Sequence, residues 1–338
     1  MSAAPPAAGM RLPSAPTVVA VAAVAALGAT AAPLLAYALS LAVLGAPHVL
    51  AELRYVDGRF GRRLGRRRGL AILAVLAGIV VVRIRMLGGH LAYGDGLRLE
   101  LGAVAVLAIA VLPSLAAQPV RLGVAVLGAA VLVLGATVHP AATLVVLAVL
   151  HNTTPVGFLA ERLRGPARRR ALAACAFLFV VVPIGIATGL PARALASAGL
   201  LARDATWGTT GGLSEHLSVY VLPGLRSSAS AADLFAAAAY LQILHHLTVL
   251  FVLPRLLGAR ADDRPVAPWP RAPVLVAALL AVSVGGAMLF ARDFLGSRAA
   301  YGLLASVHAW IEVPVLLLAL AGGRAAVESA SPLVASAA

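Results

Sequence analysis

The chain has 338 residues, 61% of them hydrophobic and 12% charged, with a mean hydropathy of +0.96. A soluble globular domain, with an apolar share nearer ~45–50%, is excluded, and at ~20 apolar residues per span there is material for roughly ten transmembrane helices. The formal charge of +14 comes from arginines in short loops between apolar runs. That distribution orients a protein in a bilayer, so no nucleic-acid partner is expected.

In chain order, residues 1–15 are a Pro/Ala-rich tail expected to be disordered, and the apolar run that follows continues too far for a cleaved signal peptide. Runs broken by charge, proline or glycine place helices at 16–32, 33–55, 70–87, 99–118, 120–138, 140–162, 171–190, 233–257, 272–291 and 299–321. Only Gly28, Thr30 and Pro33 separate the first two, and one long kinked helix there gives a nine-span alternative. Residues 16–322 therefore read as a single all-α domain, a polytopic transmembrane helix bundle of about ten spans, with a tail at 323–338.

Seven arginines between Arg54 and Arg68, five between Arg162 and Arg170 and four between Arg255 and Arg271 mark three cytoplasmic loops. Ten spans put these on one side with Arg11, Arg121 and Arg324, so both termini are expected in the cytoplasm. All 27 basic residues are arginine, a bias typical of GC-rich coding, and a bacterial inner membrane is the expected setting. The opposite side carries the 88–98 segment and the long stretch Pro191–Ala232. Within that stretch, Trp207-Gly208-Thr209-Thr210-Gly211-Gly212 suggests tight turns and a lid or re-entrant piece. The single cysteine, Cys175, reads as a packing residue, and Arg83 and Arg85 at an outer helix end are expected to snorkel to the interface.

The eight histidines carry the functional reading. His48, His151, His245, His246 and His308 fall inside predicted spans, where ionisable groups are expensive and face a cavity or a partner. At ~1.5 Å per residue, His151, His245 and His308 share a level near the middle of a ~30 Å core. His48 lies nearer the cytoplasmic face, with Pro47 able to turn its helix inward. In Pro47-His48-Val49-Leu50-Ala51-Glu52 and in His308-Ala309-Trp310-Ile311-Glu312, histidine and glutamate are four apart and share a helix face. Each carboxylate can ligate a metal or orient an imidazole through its second N–H. Glu52 can also be a solvated residue at the membrane edge beside Arg54, whereas Glu312 is buried and needs a partner. His151-Asn152-Thr153-Thr154 is a polar turn in mid-span that must line a cavity or bond to neighbouring helices. His245 and His246 point ~100° apart, so one of them is the expected ligand and the other a supporting group. His90, His139 and His216 are expected at the surface or at caps. Imidazoles and carboxylates without thiolates favour non-haem Fe(II) over zinc, manganese or Cu(I).

The motif Gly45-Ala46-Pro47-His48-Val49-Leu50-Ala51-Glu52 resembles the Gly-x-Pro-His-Gly-x-x-Asp signature of the Brp/Blh family of integral-membrane β-carotene 15,15'-dioxygenases. His151 in its polar turn, His245, and Val307-His308-Ala309-Trp310-Ile311-Glu312 are similar to that family's later histidine helices, in the same order. The resemblance implies a non-haem iron held by histidines and oxygen-dependent cleavage of a carotenoid to retinal. Val49 and Glu52 depart from the signature, and Val249 stands where the family's third helix has a second histidine, which leaves His246 or His308 as the fourth ligand.

Together these readings predict a membrane oxygenase acting on a lipid-soluble, isoprenoid or carotenoid-like substrate admitted from the bilayer. Its metal would be held by His48, His151, His245 and His246 or His308, with Glu52, Asn152 and Glu312 in the catalytic surroundings. The alternatives are a b-type cytochrome with histidine-ligated haem and a transporter using His and Glu as a relay.

Overall fold

The computed structural model describes residues 13–257, 263 and 265–321. Residues 1–12 of the expected 1–15 tail and the expected tail 323–338, with Arg11 and Arg324, lie outside the described residues, and Ala15 already opens the first helix. Among the described residues every regular element is helical.

Among the described residues ten longer helical units occur, α1 (Ala15–Ala31), α2 (Pro33–Leu64), α3 (Arg66–Leu87), α4 (Tyr93–Leu115), α5 (Pro119–Val138), α6 (Pro140–His151 with Thr154–Arg162), α7 (Gly165–Ala187), α8 (Ala231–Leu256), α9 (Ala272–Arg292) and α10 (Phe294–Ala321), with the short helices Leu190–Ser197 and Leu217–Tyr220 between α7 and α8. By length and composition eight are long and apolar enough to cross a membrane, and α6, bent by 42° at its break, makes a ninth if the bent pair is one span. The unit α1 is an apolar helix of 17 residues. It ends where the sequence places a break, because Pro33 cannot donate to the preceding turn and instead opens α2.

The helices sort into a polar-bearing centre and an apolar jacket. α8 packs against α1 and α2, and α10 packs against α2, α3 and α4. α8 buries Phe235, Tyr240, Leu244, His245 and Val249 along most of its length. By contrast α5 buries only Ala125, Ala129 and Ala136, and leaves Val124, Leu127, Val131 and Leu134 exposed. α9 exposes Val274, Val276, Leu280, Val284 and Met288 in the same way. Apolar exteriors of this extent, with the backbone satisfied within helices, belong in lipid, and the chain is a multi-pass membrane protein.

Proline shapes the helices that carry histidine. Pro47 has no N–H for the carbonyl one turn back, and α2 widens into a π turn over Ser40–Leu44 just upstream. Pro155 follows the break of α6, and Pro314 lies inside α10 two residues beyond Glu312. The arginine-rich end is tied by buried ion pairs. Arg59 bonds to Glu161, Arg162 bonds to Asp263 and to the Leu256 carbonyl, and Asp57 accepts from the backbone of Val266 and Ala267 and from Trp269 Nε1.

At the opposite end the 191–232 stretch lies folded over the bundle. Gly208 has φ +58°, and a Cβ there would stand 2.8 Å from the Ala291 carbonyl, so only glycine lets this turn sit against the end of α9. Phe294 N donates to Thr209 Oγ1 beside it. Two expectations change here. His216 is fully buried: its Nε2 donates to the Thr210 carbonyl, and Nδ1 accepts from Arg298. Burial, with the Arg298 guanidinium alongside, holds its pKa below the usual histidine range and keeps that acceptor free. Arg83 does not snorkel. It forms a bidentate pair with buried Glu100, which also accepts from Trp310 Nε1, and it donates to the Gly302 carbonyl.

Candidate metal centre

Four histidines converge from four helices. One ring nitrogen each from His48 (α2), His151 (α6), His245 (α8) and His308 (α10) lies within 4.8 Å of all the others. His48, His245 and His308 are buried, and His151 is partly so. Nε2 of His48 stands 3.1 Å from Nε2 of His308. Two imidazole nitrogens on one ion at ~2.0–2.1 Å come roughly 2.9–3.4 Å apart, so this pair has the spacing of two ligands of one metal.

The groups around them fix which nitrogen faces inward. His48 Nδ1 donates to the Leu44 carbonyl at 3.2 Å, the last residue of the π turn. His151 Nδ1 donates to Glu312 Oε2 at 2.6 Å, and Thr154 donates to Glu312 Oε1 at 2.7 Å. Both arrangements leave the Nε2 lone pair for a ligand, the usual second contact of a metal-bound histidine. His246 sits apart from the four. Its Nδ1 pairs with Ser40 Oγ at 2.9 Å, and its ring stacks on His48 at a centroid distance of 4.0 Å. Glu52 is not at a solvated edge: it is fully buried, with Oε2 3.6 Å from His245 Nε2. Asn152 is buried too and bonds back to the Ala148 carbonyl of its own helix, as Thr153 does to Leu150.

The donor set fits a cation. Neither oxygen of Glu52 and neither ring nitrogen of His245 has a hydrogen-bond partner among the described residues. Buried groups of this kind are costly when unsatisfied, and a metal ion would take one nitrogen of His245 and offset the charge of Glu52 beside it. Four imidazoles with a neighbouring carboxylate and no thiolate suit a divalent metal such as Fe(II). The site is thus a buried four-histidine candidate metal site in a membrane helix bundle.

A cavity of about 650 Å³ reaches this centre from one side. His48, His151, His246, His308 and Asn152 line it, whereas His245 and Glu52 lie behind. Its walls include Leu41, Leu144, Val145 and Ala148, and its far end carries Arg83, Tyr93, Arg226 and Arg298. Tyr220 donates to Gln242 at 2.6 Å across the cavity wall. Val145 and Tyr220 also belong to an apolar groove of about 760 Å³ between α6, α7 and α8. Sequence reasoning did not pick out Ser40, the Leu44 carbonyl, Glu100, Arg226 or Arg298. The signs of a lined cavity that the sequence did carry were the intramembrane histidines and the polar turn at His151-Asn152, both of which, His245 apart, face it.

The chain matches no protein-family model, no curated protein and no solved structure. The expected membership in the Brp/Blh family is withdrawn, because no family model matches the chain, and with it the carotenoid cleavage that it implied. What the geometry retains is the buried histidine cluster itself.

Proposed function

We propose that this chain is an integral-membrane, non-haem iron oxygenase acting on a lipid-soluble substrate. The observation that carries the proposal is the convergence of four imidazole nitrogens, from four helices, within 4.8 Å. In this reading His48, His151, His245 and His308 hold the metal, and Glu52 stands beside His245 as a further donor. Iron(II) held there would supply redox chemistry towards dioxygen.

The chain's own residues account for the rest. The Leu44 carbonyl and Glu312 hold His48 and His151 in one tautomer each. His246 and Ser40 support the His48 ring, and Asn152 shapes the wall through which substrate approaches. The apolar groove shares Val145 and Tyr220 with the cavity and gives a lateral route from the bilayer. Five packed imidazoles, with His48 and His308 in direct contact, leave no slot for a porphyrin between any two and speak against a b-type cytochrome.

Elemental analysis of the purified chain is expected to find about one iron per molecule, with no Soret band and with oxygen uptake when lipid extract is supplied. A Soret band, or a zinc-only protein without oxygen uptake, defeats the oxygenase. Glu312→Gln is expected to weaken metal affinity about 10–100-fold, the usual effect of losing an outer partner of a ligand. Competition against a chelator measures this, and an unchanged affinity removes Glu312 from the centre.

A further inference from the structure

The far end of the histidine cavity has a charge that the metal reading leaves unused. Of three arginines lining it, Arg83 is neutralised by Glu100. The other two have no carboxylate partner among the described residues. Arg226 donates Nε to the Val221 carbonyl, and Arg298 donates to the neutral Nδ1 of His216. Both are half-buried, so they place positive charge on a cavity whose other lining mixes apolar side chains with uncharged polar ones such as Ser218, Gln242 and Ser306. Arg298 and His308 line the same cavity ten residues apart on α10, which places the guanidinium about 15 Å from the histidine centre along the helix axis.

We propose that the cavity binds a single-chain amphiphile with an anionic head, the head on Arg226 and Arg298 and the chain running down to the histidine centre. This inference rests on the reading of the cavity as the substrate site and specifies the substrate's class. Arginine suits carboxylate and phosphate alike, because its guanidinium presents paired N–H donors to two oxygens of the anion. Leu41, Leu144, Val145, Leu147 and Ala148 offer apolar contact to a chain, and the polar side chains beside them, Gln242, Ser306 and Tyr301 among them, carry no formal charge. The head group then fixes how deep the chain reaches, and so which carbon lies against the histidines. Loop residues contribute to this as well as helices. Arg226 comes from the 191–232 stretch, and His216 holds the Arg298 guanidinium in place.

Native mass spectrometry of the purified full-length chain with dodecanoate, dodecyl phosphate and dodecanol tests the proposal. Dodecanoate and dodecyl phosphate are expected to bind at least about tenfold more tightly than dodecanol. Arg226→Gln and Arg298→Gln are each expected to erase that preference while dodecanol binding stays unchanged, which also reports that the variant is folded. Equal binding of acid and alcohol by the native chain overturns the proposal, and so does an equal loss of both ligands in the two variants. Metal content is read on the same samples together with His151→Ala. If His151→Ala loses metal but keeps the preference for the acids, the head-group site stands. If the native chain holds no metal yet prefers the acids, the oxygenase reading falls and the anion site remains.

Discussion

His245→Ala is expected to empty the centre of metal, whereas His246→Ala leaves it loaded. The two residues are neighbours on α8, yet ~100° of helix separates their side chains. The first points into the cluster, with both ring nitrogens unsatisfied by protein. The second spends its Nδ1 on Ser40 and its ring face on His48. Removing His245 deletes one of four donors and takes away the imidazole 3.6 Å from Glu52. Its effect on affinity should exceed the ~10–100-fold expected of supporting groups, and His246→Ala should stay within that range. Metal per chain, measured on monodisperse protein from both variants, decides the matter. Full metal in His245→Ala, or loss only in His246→Ala, sinks the assignment of the four ligands.

Much of the fold was legible because lipid imposes a simple demand. A span must be long, apolar and helical, and each of the ten predicted segments overlaps a helical unit. Among the described residues eight of these, or nine if bent α6 is one span, are long and apolar enough to cross, and α1 is shorter. The bend in α6 was written in Thr153-Thr154-Pro155. The histidine–glutamate spacing was informative in a different way from its first reading. Four residues of separation do put His48 with Glu52, and His308 with Glu312, on one face. Each glutamate nonetheless faces a histidine on another helix, Glu52 towards His245 and Glu312 onto His151. Side chains four apart on a helix run side by side, so a short carboxylate meets what the facing helix presents. That pairing depends on which helices are neighbours, and no local pattern encodes it. The same holds for Glu100 with Arg83, 17 positions apart on the neighbouring helix, for Glu100 with Trp310, 210 apart, and for His216 with Arg298, 82 apart. The reading of Glu52 as a solvated residue beside Arg54 failed for a related reason: it is fully buried against α8, on a helix that continues to Leu64.

Glu52→Leu is expected to stabilise the metal-free protein and to cripple metal uptake. A fully buried carboxylate with no hydrogen-bond partner costs several kcal/mol in an apolar interior unless something compensates it. Replacing buried charges by apolar side chains of similar volume is often neutral or stabilising by roughly 1–4 kcal/mol. A residue that served only the fold would not remain there at that cost, and violations of this kind are expected where a site is built. The chelator-treated Glu52→Leu variant should therefore melt at or above the native chain treated in the same way. Added iron should raise the melting temperature of the native chain, as binding to the folded state alone must, and should leave the variant nearly unmoved. The opposite pair of results, a lower melting temperature without metal and an undiminished shift with it, would make Glu52 a structural polar group. The metal would then rest on the four imidazoles alone.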